Sequence, residues 1–388
     1  MAYDFDTLIN RKGTDSLKFD FAAERGYPGD VLPLWVADMD FPAPPEVNKA
    51  LEAAVSHGIY GYSEVKKDYN ETVCSWFENN HGYRPDEKWL IKTPGVVFAL
   101  ATAVKALTEK GDSVLIQPPV YYPFYEVIRD NERKIVENPL KEIDGHYEID
   151  FEDFERKIEE EKVRLFILCS PHNPVGRVWK EWELSKIAEI CLKNEVYVVS
   201  DEIHCDLLIG DNRHIPFLKL AGELADRTVV CTSPSKSFNI AGLQVANNFI
   251  PNAVLRRRFA KEIDKTGYSQ HNTLGLVAAR AAYESGGPWL TECRKYLAGN
   301  LELIRSFVKE KLPAVRLIEP EATYFAWLDF SGLGLDEKQL DDYIINKAGL
   351  WLDSGRIFGE SGKGFERIAY ATQRSRLLEA LNRLANGK

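Results

Sequence analysis

Ser233-Pro-Ser-Lys236-Ser-Phe-Asn-Ile-Ala-Gly-Leu-Gln244 follows directly on a short β-branched run, Thr228-Val-Val-Cys-Thr232. A run of that length and composition, bounded by Pro234, predicts a buried strand. Lys236 then lies just beyond a strand's carboxyl end, where open α/β sheets place their ligands. Burying an ammonium there without a partner is costly. Two readings fit the stretch. One is a solvated lysine beside a turn. The other is an amine that forms a Schiff base to an aldehyde cofactor, with neighbouring hydroxyls and amides holding a phosphate.

On either side of this stretch, from about residue 88 to 250, short β-rich runs alternate with longer helical patterns. The runs cover 89–93, 113–117, 163–169, 196–200, 228–232 and 245–250, and the helical patterns include 96–109, 151–160, 182–193 and 253–265. Such alternation predicts a mostly parallel central sheet sandwiched by helices. Gly286-Gly287-Pro288 breaks the pattern before a long helical stretch, 289–311. Strand-like 323–329 and 365–370, a helix near 337–347 and a closing helix from Arg374 predict a smaller α+β domain. The expected division is a large α/β domain over 46–286 and a small domain built from 1–45 plus 287–388. The Pro-rich N-terminal segment (Pro42, Pro44, Pro45) is expected to lie near the small domain.

The 388 residues suffice for two domains and a large core. A net charge of −10 argues against a nucleic-acid partner, whose phosphates need a basic surface. The one dense basic cluster, Arg256-Arg257-Arg258, reads as a solvated helix face. The six cysteines show no metal-like spacing, and Cys169 and Cys231 fall inside apolar runs, so reduced core thiols and no metal site are expected. The N-terminus is acidic and lacks an apolar h-region, and no run of 18 apolar residues occurs. A soluble, cytoplasmic protein with no membrane contact is the expectation.

Polar residues collect just beyond the predicted strand ends. After 89–93 comes Pro94-Gly95-Val96-Val97, where Gly95 opens a helix whose free amides suit a phosphate, or form an ordinary turn. After 113–117, Tyr121 and Tyr122 offer an aromatic face or simple packing. After 163–169, Asn173 stands between prolines in a turn, with an amide able to donate to a phenolate oxygen. After 196–200, Asp201 is a carboxylate at the end of an apolar strand and needs a cation. A protonated pyridine nitrogen is one such partner; a helix cap or a salt bridge to Arg177 are the alternatives. The joint order Gly95, Tyr121, Asn173, Asp201, Lys236, each at a strand end on one sheet edge, favours a single site.

On these residues the chain resembles the fold-type I pyridoxal-phosphate enzymes of the aminotransferase class I/II superfamily, and within it the MalY/PatB group of carbon–sulfur β-lyases. The resemblance rests on Leu34-Trp-Val-Ala-Asp-Met-Asp-Phe-Pro42, Tyr60-Gly-Tyr-Ser63, Gln117-Pro-Pro-Val-Tyr-Tyr-Pro-Phe124, Ser170-Pro-His-Asn-Pro-Val-Gly-Arg177, Ser200-Asp-Glu-Ile-His-Cys-Asp-Leu207, the lysine stretch itself, and Pro320-Glu-Ala-Thr-Tyr324. It implies pyridoxal 5'-phosphate as cofactor, Lys236 as Schiff-base lysine and Cα proton shuttle, and Asp201 on the pyridine nitrogen. Asn173 would bond the ring hydroxyl, Tyr121 would stack on the ring, and His204 would replace a tyrosine that aminotransferases usually carry. Gly95, Val96, Ser233 and Ser235 would hold the phosphate, joined by Tyr62 from the second subunit of a homodimer with shared sites. Arg367, helped by the Ala37 amide and by Trp35, would bind the substrate carboxylate through a planar two-point contact. Gln244 stands where many relatives carry a phosphate-binding arginine, so phosphate binding leans on neutral donors. The surroundings of Arg367, Ile368-Ala-Tyr-Ala-Thr-Gln-Arg374, also depart from the group's usual text.

The implied reaction is α,β-elimination of cystathionine- or cysteine-type S-substituted amino acids to thiol, pyruvate and ammonia. An aminotransferase uses the same residues and is the alternative. Ser233-Pro-Ser-Lys236 also matches the S-x-x-K of serine β-lactamases. Ser237 follows the lysine too closely, and Lys265-Thr-Gly267 ends a helical pattern, so that reading fails. A purely non-catalytic role would require broken cofactor residues, and Lys236, Asp201, Asn173 and Arg367 are all present.

Overall fold

The computed structural model describes residues 3–64 and 67–386. Its centre is a seven-stranded sheet in the order Leu90–Thr93, Ala246–Phe249, Thr228–Thr232, Tyr197–Asp201, Val163–Cys169, Ser113–Ile116, Lys134–Glu137. Ala246–Phe249 runs antiparallel to both neighbours, and the other pairings are parallel. The central strands are buried along nearly their whole length, Arg164 apart, because helices cover both faces. Helices Val96–Leu107 and Ala253–Lys265 build one core layer, whereas Phe151–Glu160 and Glu181–Lys193 belong to the other.

One register decides where the chemistry sits. Asp201 is paired between Cys169 and Cys231, so three neighbouring strands end level with one another. Sequence pattern ends the strand at Ser200; the backbone pairing of Asp201 carries it one residue further.

The C-terminal part forms a four-stranded sheet, Arg316–Ile318, Phe325–Asp329, Phe365–Ala369, Asp353–Ser354, all antiparallel, with helices Gly287–Lys311 and Arg374–Asn386. The N-terminal strand Leu32–Pro33 pairs in parallel with Leu350–Trp351. The Ala369 N–H donates to the Leu34 carbonyl (2.8 Å) and the Asp40 N–H to the Ala371 carbonyl (2.9 Å), which fixes segment 34–41 against this sheet.

Several elements lie outside the expected pattern. Helices Pro45–His57, Lys67–His81 and Thr273–Ser285 cross segments with no flanking strand signal. Edge strand Lys134–Glu137 buries only Val136, too little alternation to mark it. The expected helix 337–347 is α-helical over Glu337–Asp341 and widens to a π-helix over Asp342–Lys347. All six cysteines are buried and unbridged. Among the described residues no helix is long and apolar enough to cross a membrane.

Candidate active site

A cavity of about 420 Å³ opens at the carboxyl ends of the central strands. Lys236, Asp201, Asn173, Tyr121, His204, Gly95, Val96, Ser235 and Ala37 all line it, joined by Cys169 and Gln244. These positions come from six stretches of chain that only the sheet register brings level.

At the floor, Asp201 is buried, and burial raises its carboxyl to about 7. The Ile203 N–H at 3.1 Å and the more distant Lys236 oppose that rise only in part. Lys236 is its counterpart. Burial brings its amine down to about 8, with Arg367 acting in the same direction and Asp38 and Asp201 against it. Its Nζ donates to the Ala37 carbonyl at 2.6 Å. His204 is held neutral by burial and by the charges of Lys236 and Arg367, and its Nδ1 has no hydrogen-bond partner. Burial likewise keeps the Tyr121 phenol protonated. The alternative partner for Asp201 is absent: Arg177 is engaged by Glu183 (3.0 Å) and Glu321 (3.0 Å).

Arg367 stands behind Asn173, outside the cavity lining: it donates Nη1–H to Asn173 Oδ1 (2.9 Å) and Nη2–H to the Trp35 carbonyl (3.0 Å), and it pairs with the buried Asp353 carboxylate. Its guanidinium stacks over Phe325 at 4.1 Å, and its Nε–H is without a partner. With Oδ1 filled by a cation, the Asn173 amide presents only its N–H₂ donors to the cavity.

At the opposite end, Gly95, Val96, Val97 and Phe98 form the mouth of a 12-residue helix with no acidic residue in its first turn. The first amides of a helix have no intrahelical acceptor and favour an anion. Nothing lies within 4 Å of where a Cβ on Gly95 would stand, so the cradle is open. Ser235 and Gln244 are the side-chain donors beside it.

Five expected residues are placed differently, Arg367 among them, since it lies behind Asn173 and does not line the cavity. Ser233 does not line the cavity; its hydroxyl donates to the Val245 carbonyl (2.7 Å) and meets Ser235 Oγ (2.6 Å), so it shapes the loop. Ala37 contributes its carbonyl, which also accepts from the Tyr324 hydroxyl (3.0 Å), where an amide contact was expected. Trp35 offers its carbonyl to Arg367, while its ring stacks on Trp351 at 4.4 Å. Tyr62 does not line the cavity and is 92% exposed.

Residues that sequence reasoning missed hold the site together. Asn239 accepts from the Met39 N–H (2.9 Å) and donates to the carbonyls of Met39 (3.0 Å) and Phe41 (2.7 Å), clamping segment 35–41 to the lysine loop. Its backbone is left-handed (φ 55°), which asparagine tolerates, but nothing in the sequence pattern marked it. Asp353, the charge partner of Arg367, was equally unmarked. Among the described residues His81, Cys205 and Asp206 gather in a metal-like group, but both Asp206 oxygens already accept hydrogen bonds from Trp76, His81 and Ser237.

The chain matches the model of the aminotransferase class I and II family over residues 29–384, and it belongs to that family. It is 43% identical over 380 residues to cystathionine beta-lyase PatB of Bacillus subtilis (strain 168), covering 98% of each chain. It is 34% identical to protein MalY of Escherichia coli (strain K12), covering 99% of this chain and 98% of that one. Cystalysin from Treponema denticola, whose crystal structure contains pyridoxal 5'-phosphate, superposes with a TM-score of 0.96 at 41% identity, over 99% of this chain and 98% of that one. Within the family the chain falls in the MalY/PatB group.

Proposed function

We propose that this chain is a pyridoxal-phosphate-dependent carbon–sulfur β-lyase, converting cystathionine- or cysteine-type S-substituted amino acids to a thiol, pyruvate and ammonia. One observation carries the assignment of its residues: a buried amine, Lys236, and a buried carboxyl, Asp201, line one cavity at the sheet's carboxyl edge beside an open helix N-terminus, and burial shifts both toward their neutral forms. The residues fit the cofactor. The open cradle at Gly95 suits a phosphate, and Asp201 is a desolvated acid that needs a cation.

When bound, pyridoxal phosphate supplies an aldehyde for amine exchange and a ring that draws electrons from the substrate Cα. Lys236 Nζ would be the amine that holds the aldehyde and the base for the substrate Cα proton, because burial lets it stay unprotonated nearer neutral pH. Asp201 would face the cofactor's ring nitrogen and favour its protonated form, because a cation beside a desolvated carboxyl pulls it into the charged form. The Asn173 amide would offer a donor to the ring hydroxyl, Tyr121 and His204 would supply neutral groups beside the ring, and the amides at Gly95 and Val96 with the Ser235 hydroxyl would hold the phosphate. Arg367 meets the substrate carboxylate, with its unpartnered Nε–H as the open donor.

The active unit is a homodimer with shared sites. Supporting this, Ile59, Tyr60 and Tyr62 on one loop are 72%, 62% and 92% exposed, an apolar patch that a neighbouring subunit would cover. The division into 46–286 and 1–45 plus 287–388 draws support from the pairing of Leu32–Pro33 with Leu350–Trp351. A cytoplasmic setting is supported by six unbridged cysteines.

The deciding experiment supplies cystathionine to the cofactor-loaded enzyme without any keto acid. Pyruvate released in many turnovers establishes the lyase. Pyruvate absent, with amino transfer appearing once a keto acid is added, makes the protein an aminotransferase. For the dimer, mixing inactive Lys236→Ala subunits with impaired Tyr62→Phe subunits should restore activity, since a heterodimer carries one intact site. Heterodimers without regained turnover would place Tyr62 outside its neighbour's site.

A further inference from the structure

Asp206 is buried, yet it does not line the cavity. Its Oδ1 accepts from Trp76 Nε1 (3.0 Å) and His81 Nε2 (2.9 Å), and its Oδ2 from the Ser237 hydroxyl (2.6 Å). Burial pushes this carboxyl up, but the bonds from His81, Ser237 and Trp76 outweigh it and hold the group ionised. A charge kept in a dry interior by three aimed donors is a rigid anchor. His81 Nδ1 is buried without a partner, so Nε2 is the ring nitrogen that donates to Asp206.

What the anchor holds is the peptide next to the reacting lysine. Ser237 follows Lys236 directly, so the Oδ2 bond fixes the loop one residue after the lysine, and the Asn239 bonds fix it again two residues further on. Trp76 and His81 come from helix Lys67–His81, so the carboxylate ties that helix to the lysine loop. The His81 ring meets His214 edge-on at 5.5 Å, and His214 bonds Glu202 (2.8 Å), the residue after Asp201. Both cofactor-facing residues thus have a chain neighbour held by a buried carboxylate and histidine.

We propose that Asp206, oriented by His81, is a positioning residue for this reaction: through Ser237 it sets the place of the Lys236 amine relative to Asp201 and the Ala37 carbonyl. The proposal rests on the lyase reading of the same cavity. None of the three residues lines the cavity.

The test uses cofactor-loaded wild type, Ser237→Ala, His81→Ala, His81→Gln and the Ser237→Ala/His81→Ala double variant. Ser237→Ala should lower kcat about tenfold with KM within twofold, and it should shift the pH midpoint of the visible band of the lysine-bound cofactor. His81→Ala should lower kcat several-fold in the wild-type background and no further in the Ser237→Ala background, since the effect travels through that hydroxyl. His81→Gln, which keeps a donor near the Nε2 position, should recover most of the loss. Should Ser237→Ala fail to fold, Ser237→Cys, a weaker donor, carries the same expectations. An unchanged kcat and band midpoint in the serine variant, or independent multiplying losses in the double variant, would overturn the relay. A wild type with no visible band would instead sink the cofactor reading itself, so the two failures are distinguishable.

Discussion

Asp40 and Asp201 are both carboxylates taken out of water, and they end in opposite states. Asp40 accepts from Arg11 (2.8 Å), Lys18 (3.0 Å) and Arg376 (3.0 Å). Burial pushes its carboxyl up, but Lys18, Thr372 and Arg376 more than reverse that and hold it below the usual range. Asp201 receives one backbone N–H, and burial raises it to about 7. The first cluster is complete within the chain and locks segment 34–41 between the N-terminal residues and the last helix. The second is complete only when something cationic arrives. Buried charge marks function where its compensation is missing, because folding tolerates such a group only at a cost that ligand binding can recover.

The comparison breaks first at the amine that shares the cavity with the unfinished cluster. Lys236→Ala should reduce lyase turnover to background and remove the visible band of the lysine-bound cofactor; a variant that keeps both would show that another lysine does the work.

The finished cluster comes next. Asp40→Asn leaves the fully buried Lys18 short of a charge partner, which should cost about 3–5 kcal/mol of stability at pH 7. Asp40 has a lowered folded pKa, so its contribution is present above the unfolded carboxylate range and lost as pH falls through the folded value. Urea melts of the two proteins should therefore converge on acidification. A constant gap down to pH 3 would mean that the lost contact is not ionic.

Asp201→Asn should leave cofactor bound and lower kcat by roughly two to three decades, the loss of about 2–4 kcal/mol from one charge-assisted contact in a dry site. The same substitution sharpens the contrast in the cofactor-free protein. There Asp201 is raised, so the folded state binds more protons than the unfolded one between about pH 4 and about 7, and stability falls as pH rises through that window. Cofactor-free Asp201→Asn should match wild type near pH 4 and exceed its melting temperature at pH 8. An identical pH profile in both would show that Asp201 already has a partner.

The smallest effect is expected at Arg367, whose charge Asp353 already balances. Arg367→Lys should raise KM for amino-acid substrates about tenfold, or ~1.4 kcal/mol, because an ammonium cannot keep the contacts to Asn173, Trp35 and Asp353 and still offer a donor to the substrate. The resting cofactor spectrum should stay as it is. Unchanged KM would move the carboxylate contact elsewhere.

By itself the sequence determined the alternation of strands and helices and the residues that stand at strand ends. Gly95, Tyr121, Asn173, Asp201 and Lys236 were legible because each sits a few residues from an apolar run whose pattern is local. Gln244, in place of an expected arginine, was legible the same way, and it does line the cavity. Tertiary structure decided which atom of each residue faces the site. Ala37 turns its carbonyl to a lysine 199 residues away, and Asn173 is oriented by an arginine 194 residues away. Ser233 spends its hydroxyl on Val245, a choice set by how the loop closes on the neighbouring strand. Asp353, Asn239 and Asp206 left no pattern at all, since a carboxylate or amide acquires its meaning from donors that arrive from elsewhere in the chain. Periodicity and turn chemistry act over a few residues, whereas the compensation of a buried charge is settled only once distant segments have met.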